Sequence, residues 1–557
     1  MCDGLWTNTP RHHHAHISNI CLTSYLLPRM FGCVFIAAQY CVFNETTISG
    51  SDRFGAYTGV RQDFGIGRST TGTRYIQVYD DWTSTHLEFT PPISLNWMSP
   101  ASFTGSMSLN VPPDNDMQSI YGFKGKFSSY VTVIDERVYG FIDHTTWKTS
   151  FASVGLDGVR AVVGGPLHGH VVTSSSPRLA SVRSLDAYAR LCGTFEGSPE
   201  PPVKYRGWNS WAQTLLQPLT VSMLESASST FEAGASIQRD AIYGLNVSDT
   251  VEWQTNVYEH GQSIGSYFAP FAAFSNETLV KCGGNEWNFD ETILHSKGGP
   301  IHPLSNPKGY IRDATHPSTK CLMEQSFNAA TLVTTYKVDF LNYAAYEGLF
   351  WNTSIATTGF QAYNYALYLL DAALPHGIRL DFGISPPVPA GPRAHSRHAG
   401  SDQLFGGVSY MMNQYRGGWF WSELFLQDPD LVTFVGNYVF RPILRGGMGP
   451  LARVAKAIIF SGVYKNGDDL SNATTRAFAE HYLNHTALND LWRLDGYFNT
   501  PDGGSTWIRN STVIIFNYGL HPINSTQPIS GVCTDLFRGG EWFGVIPPKT
   551  AAILKCQ

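Results

Sequence analysis

Two short stretches carry the residues most able to do chemistry. "TYKVDFLNYAAYEG" closes a short apolar run on Asp339, two positions after Lys337. On an extended strand these two share one face, while Tyr336, Val338 and Phe340 take the other. An ammonium beside a carboxylate inside a protein keeps the carboxylate ionised, as a nucleophile requires. The plainer alternative is an internal ion pair that only fills space. "AGPRAHSRHAGSDQ" supplies a second acid, Asp402, with His395, Arg397 and His398 in a Gly- and Pro-rich loop, where an aspartate by itself is more often a cap or turn residue. Two carboxyl groups from different strands suit the cleavage of a glycosidic bond: one attacks or orients, and the other protonates the departing oxygen.

These residues need a scaffold that brings strand ends together. From about residue 204 to 480, short apolar runs ending in polar residues ("SIGSYFAPF", "VTTYKVDFL", "GIRLDFGIS") alternate with helical patterns such as "FQAYNYALYLLDAAL". Repeated strand-then-helix units predict a parallel sheet, and over about 250 residues a (β/α)8 TIM barrel, whose active site forms where the strands end. Two further strand ends belong to this set. "YRGWNSWAQ" carries Trp208 and Trp211, and "IGSYFAPFAAF" carries Tyr267 and Phe268 ahead of the strand-stopping Pro270; core packing explains these aromatics equally well. Asp381 closes another strand in "RLDFG" and is a candidate pocket-lining residue. Asp428 and Asp430 in "QDPDL", and Asp468 and Asp469 in "NGDDL", read as helix caps, and Glu347 as a structural polar contact.

Around the barrel, residues 45–200 show the short alternating runs of an N-terminal all-β domain ("RYIQVYD", "SYVTVID", "RAVVGG"), ending in the Pro-rich break "GSPEPPVKY". Residues 201–485 are the barrel, and 486–557, with "STVIIFNYG" and "KTAAILKC", are expected to form a C-terminal antiparallel β-sandwich. Residues 1–44 read as a leader: "MFGCVFIAAQYCVF" has roughly the length of a signal-peptide apolar region and is too short to span a bilayer. His12, His13, His14 and His16 upstream of Met30 read as an unstructured tail rather than a metal site.

Composition narrows the partner and the compartment. A formal net charge of -6 with 15% charged residues gives no footprint for nucleic acid, so the expected partner is small and uncharged. Eight Asn-x-Ser/Thr sequons, at Asn44, Asn246, Asn276, Asn352, Asn472, Asn484, Asn510 and Asn524, point to the secretory route and an extracellular protein. Without the leader, Cys192, Cys282, Cys321, Cys533 and Cys556 remain, an odd set that leaves one thiol free or paired between chains. No CxxC pair is present, which argues against structural zinc.

Taken in order, "RGWNSW", "YIRDATHPSTK", "YKVDFLNYAAYEG", "TGFQAYNYALYLL", "AHSRHAGSD", "YRGGWFW", "QDPDL" and "NGDDL" resemble the α-galactosidase-type glycoside hydrolases of clan D, families 27 and 36 and their relatives. The resemblance covers about half of the chain, and "TDLFRGGEWFGVIPPKTAAILKC" resembles the β-sandwich that follows their barrel. It implies a secreted retaining exo-α-glycosidase acting on terminal α-galactosyl residues of an oligosaccharide, with no metal or organic cofactor. By the same resemblance Asp339 is the nucleophile and Asp402 the acid/base. Lys337, Trp208, Arg397, His398 and Tyr267 contact substrate. Two departures stand out. His398 replaces the arginine expected before the acid/base, and an imidazole makes no bidentate contact. The second strand lacks a clear Asp-containing end, with only Asp240 and Asp249 in "IQRDAIYGLNVSDTVEW". An α-N-acetylgalactosaminide or an α-glucan unit remains open as substrate, as does a catalytically degenerate carbohydrate-binding protein.

Overall fold

The computed structural model describes, with short breaks, residues 40–103, 127–174, 182–398, 426–428, 449–485 and 496–557, plus residues 23–24 and 36–37. It divides into two compact units, residues 1–113 with 118–195, and residues 196–557 with 114–117.

In the first unit the alternating runs are strands, among them Thr70–Val78, Val131–Ile134 and Val159–Val163. They form a seven-stranded and a six-stranded sheet, both antiparallel. The first strand of the longer hairpin, Tyr40–Asp52, begins ahead of the boundary expected at residue 44. The unit is not purely β. "VRSLDAYARLCGTFE" forms a helix, Val182–Glu196, because Leu185, Tyr188, Ala189 and Cys192 recur at helical spacing and all four are buried. Tyr188 docks it onto a strand: its hydroxyl donates to Phe141 O at 2.6 Å. Its ring fills the space left by Gly140, where a Cβ would sit 2.2 Å from a ring carbon. Cys192 is in no disulfide, and its buried thiol lies 3.9 Å from Phe141 O.

The second unit is organised by eight parallel strands: β1 (Tyr205–Asn209), β2 (Ser236–Arg239), β3 (Ser263–Phe268), β4 (Val333–Val338), β5 (Arg379–Phe382), β6 (Ala394–His398), β7 (Leu426–Asp428) and β8 (Val463–Asn466). Their order is 7-6-5-4-3-2-1-8, so consecutive strands are neighbours and the eighth returns to pair with the first. That is the strand order of a (β/α)8 barrel. The remaining edges, β7 and β8, approach within 8 Å at Cα without a shared ladder among the described residues.

Helices follow the strands where the apolar periodicity places them: α1 (Val221–Thr230), α2 (Val247–Glu259), α3 (Pro317–Asn328), α4 (Gly359–Ala373), α5 (Pro450–Ile459) and α6 (Ala473–Phe478). Their starts are fixed locally. The Thr220 and Thr358 hydroxyls accept from the N–H groups of Met223 and Gln361, and Glu347 Oε2 accepts from Gly359 N–H at 2.9 Å, the polar contact expected of it. Between β3 and α3 the chain makes three short antiparallel ladders, tied to α3 by the Cys282–Cys321 disulfide.

After the barrel come β9 (Gly496–Asn499), β10 (Gly504–Arg509), β11 (Thr512–Asn517), β12 (Cys533–Asp535) and β13 (Thr550–Cys556), a five-stranded antiparallel sheet. A two-stranded ladder, Ile523–Asn524 with Val545–Ile546, packs Ile523 and Ile546 against Val513, Ile515, Ala552 and Leu554. The expected sandwich therefore has a second layer only two strands wide among the described residues, and Cys533–Cys556 staples the larger sheet.

On β4 the helix-facing Tyr336 packs edge-on against Phe327 of α3, and its buried hydroxyl has no hydrogen-bond partner among the described residues. Burial pushes its pKa up from 10.0 to about 12. The folded state therefore holds a proton that the unfolded chain releases above pH 10, and stability falls as pH rises through that interval. Tyr336→Phe is expected to gain about 1 kcal/mol at neutral pH, by removing an unpaired hydroxyl, and to flatten the alkaline loss. Urea denaturation at pH 7 and between pH 10 and 12 measures both.

Candidate active site

Strand register decides which side chains share the barrel interior. Tyr267 on β3, Lys337 on β4, Asp381 on β5 and Ser396 on β6 are successive Cα partners, and so lie at one level. One step lower, Gln238, Gly265 and Thr335 form the layer beneath. A Cβ on Gly265 would sit 2.7 Å from Gln238 Cβ, so the glycine leaves room for the glutamine side chain. Lys337 and Asp339 keep the parity expected of them, at 6% and 8% exposure.

Asp339 lies just beyond the last residue of β4 and is held by its backbone on both sides of the strand. Its N–H donates to Phe268 O at 2.8 Å, and Gly383 N–H donates to Val338 O at 2.8 Å. Phe340 then turns into the left-handed region (φ 54°, ψ 35°), which aims its own N–H at Asp339 Oδ1, 2.9 Å away. Asp339 Oδ2 has no hydrogen-bond partner among the described residues. Gly383, just past β5, abuts the same carboxylate: a Cβ there would lie 2.4 Å from Asp339 Oδ1. Ile384 follows with φ 45°, and its carbonyl accepts from Asn342 N–H. Two left-handed non-glycine residues, one of them β-branched, thus flank the carboxylate, in a conformation that costs about 1–2 kcal/mol per residue.

The expected contact between Lys337 and Asp339 is not an ion pair among the described residues. The ammonium stands instead 5.6 Å from the ring centroid of Trp211, within cation–π range. Trp211 reaches this place because Asn209 Oδ1 accepts its N–H at 2.8 Å, turning the chain sharply at the end of β1. Trp208, the residue expected in the pocket, is elsewhere. It alternates with Gly207 and Asn209, is fully buried, pairs in register with Ile237, and donates its indole N–H to Asp468 O at 2.8 Å. The ring beside Lys337 is therefore Trp211, while Trp208 is fully buried and bonded to the loop after β8.

The buried ion pair of the barrel joins other strands. Lys465 on β8 and Asp381 on β5, each 2% exposed at the side chain, form a salt bridge across the interior. Asp381 was a candidate lining residue; Lys465 was missed. Its signal was present in "GVYKNGDDL", where a lysine closes an apolar run in the same manner as Lys337. Asp468 does not cap a helix. It is buried, and its Oδ2 accepts from Asn466 Nδ2 at 3.0 Å. The N-cap of α6 is Asn472, while Asp469 accepts from Ser471 in the preceding turn. Asp428 is the last residue of β7, in register with His398, and Asp430 lies outside the described residues.

β2 runs over Ser236–Arg239. Asp240 directly follows its last residue, where the second strand should end, but itself lies outside the described residues. Asp249 falls within α2. Arg397 and His398 close β6, in register with Phe382 and Asp428, with only their backbone described. The acid/base candidate Asp402 lies outside the described residues.

No protein-family model matches the chain. Solved structures with a similar fold are glycoside hydrolases. The galactosidase domain of the α-galactosidase–sucrose kinase AgaSK has a TM-score of 0.51 at 10% identity, covering 97% of this chain and 88% of that one. The family 36 α-galactosidase AgaA from Geobacillus stearothermophilus gives 0.53 at 10%, covering 97% and 90%. The α-N-acetylgalactosaminidase NagBb from Bifidobacterium bifidum in its GalNAc complex gives 0.53 at 11%, covering 90% and 93%. A family 31 sulfoquinovosidase from E. rectale reaches 0.54 at 10%, covering 97% and 94%. The chain is thus similar in fold to the clan D enzymes that its motifs resemble.

The contact at Gly383 yields a direct expectation. Gly383→Ala places a methyl 2.4 Å from Asp339 Oδ1, so the carboxylate must rotate or β5 must retreat. A crystal structure of the variant should show the Phe340 N–H to Oδ1 bond broken in a folded barrel; an unmoved carboxylate would refute this account of the glycine.

Proposed function

We propose that the chain is a secreted, retaining exo-α-glycosidase that removes terminal α-galactosyl residues from oligosaccharides. The observation that carries the reading is Asp339. It is a buried carboxylate at the C-terminal end of β4, fixed through Oδ1 by Phe340 N–H, with Oδ2 open and an ammonium and an indole from Lys337 and Trp211 nearby. Carboxylates at that end of a (β/α)8 sheet are where barrel enzymes place their chemistry.

In this mechanism Asp339 Oδ2 attacks the anomeric carbon as the glycosidic C–O bond breaks, giving a glycosyl ester. Asp402, four positions beyond the end of β6 in sequence, gives its proton to the departing oxygen. Asp402 then takes a proton from water, which attacks the anomeric carbon and frees Asp339. Retention requires the two carboxyl groups about 5–5.5 Å apart. Trp211 offers an apolar ring for the C–H face of a sugar and Lys337 a donor for its hydroxyls, with Tyr267 beside Lys337 in register. Arg397, and His398 in place of a second basic side chain, are assigned to the same pocket.

Export is supported by the eight sequons and by two disulfides. Among the described residues, no helix is long and apolar enough to cross a membrane. A second sugar is favoured by one finding: NagBb, an α-N-acetylgalactosaminidase, is as similar in fold as AgaA. Substrate choice rests on pocket contacts, which fold does not fix.

Assays of wild type and Asp339→Asn on aryl α-galactoside, α-N-acetylgalactosaminide and α-glucoside test the reading. The galactoside should be cleaved fastest, with at least about a 10³-fold loss in the variant. A 2-deoxy-2-fluoro-α-galactosyl fluoride should label wild type on the peptide holding Asp339. Absence of turnover and of labelling in wild type would favour a carbohydrate-binding protein instead.

A further inference from the structure

The mechanism leaves one charged pair unused, Lys465 and Asp381, buried in the barrel that carries Asp339. Three observations connect it to the candidate nucleophile. Asp381 is the Cα partner of Lys337 on the adjacent strand. It lies two residues before Gly383, whose Cα faces Asp339 Oδ1, and residues two apart on a strand share a face about 7 Å apart. Lys465 comes from β8, on the far side of the strand order, and reaches Asp381 with both side chains 2% exposed.

From this we propose that Lys465 is a positioning residue: by neutralising Asp381 it prevents a second buried carboxylate from raising the proton affinity of Asp339. The inference rests on reading Asp339 as the nucleophile. Among the described residues, strand register puts Tyr267 on β3, Lys337 on β4 and Asp381 on β5 at one level, with Lys465 of β8 bonded to Asp381. Arg397, His398 and Asp428 are backbone positions at the ends of β6 and β7. On β1 and β2, Asn209 and Gln238 carry no charge, and the charged positions are Arg206 and Arg239. With Lys337, Lys465, Asp339 and Asp381 ionised, these four buried charges cancel. Removing Lys465 alone leaves an excess of negative charge beside Asp339, and like charges in one site push a carboxyl pKa upward.

The test compares wild type, Lys465→Met, Asp381→Asn and the double variant Lys465→Met/Asp381→Asn. The first readout needs no turnover: carbodiimide with an amine labels the protonated carboxyl, and mass spectrometry follows labelling of the Asp339 peptide against pH. Lys465→Met should raise the labelling midpoint by about one pH unit, Asp381→Asn should lower it, and the double variant should return close to wild type. The acid limb of the kcat/KM profile on the cleaved aryl α-glycoside should move in the same directions. An ordinary packing role would lower thermal stability without ordering the midpoints by charge. If Lys465→Met does not fold, Asp381→Asn still decides, because its midpoint must fall. Midpoints that do not move in folded variants overturn the proposal. A wild type that cleaves no aryl α-glycoside overturns the glycosidase reading separately, since the labelling order does not depend on turnover.

Discussion

A charge taken out of water must find compensation, and among the described residues the second unit buries Lys337, Asp381 and Lys465 on its barrel strands and Asp339 just past β4, none more than 8% exposed. An isolated ion in such a place would cost several kcal/mol even after relaxation, so the interior tolerates them only as a neutral group with fixed geometry. The pairing of Lys465 with Asp381 imposes a topological demand. β8 must face β5 across the interior, which happens only if the eighth strand returns to the first and the sheet curls around its own inner face. The fold and the charges are therefore mutually constraining. The barrel order brings the two lysines near the two aspartates, and their compensation keeps polar side chains where a barrel would otherwise hold apolar ones.

Backbone strain serves the same carboxylate. Left-handed conformations at Phe340 and Ile384 would be costly if they only ended two strands, because glycine could do that without penalty. At Phe340 the turn directs an N–H onto Asp339 Oδ1, and at Ile384 it presents a carbonyl to Asn342 N–H, stitching the exit of β5 to the loop after β4. Gly383 keeps a conformation open to any residue and is small for another reason, the proximity of Asp339. One carboxylate oxygen is thereby fixed by the backbone of its own loop.

Much of this was legible because a strand has period two. Lys337 and Asp339 could be put on one inward face from sequence alone, and they are both buried there. The same rule, applied to "YRGWNSW", separates Trp208 from Gly207 and Asn209; the family resemblance favoured Trp208, whereas the Asn209 turn beyond the strand delivers Trp211. Parity predicts inside and outside only while the strand lasts, and the useful ring lies just past its end. Lys465 was missed for a different reason. Its partner is 84 residues away, and no local pattern announces a contact across a barrel. The helix Val182–Glu196 was hidden in a stretch dominated by β signals, although four buried residues mark its face. Asp402, the other half of the proposed pair, is placed by sequence alone.

The loops above β3 and β4 show why the rim of such a site can stay fixed while its sequence drifts. Asp313, in "YIRDATHPSTK", is 2% exposed and spends both carboxylate oxygens on backbone: Oδ1 accepts from Thr315 N–H, and Oδ2 from Trp351 N–H in the next loop. Thr315 Oγ1 then accepts from Asn352 N–H. Glu347, in the same second loop, holds the first N–H of α4. Each anchor uses a side chain to satisfy main-chain donors, so the intervening residues can change without releasing the loop. A rim tied down in this way leaves the identity of its exposed residues free to vary.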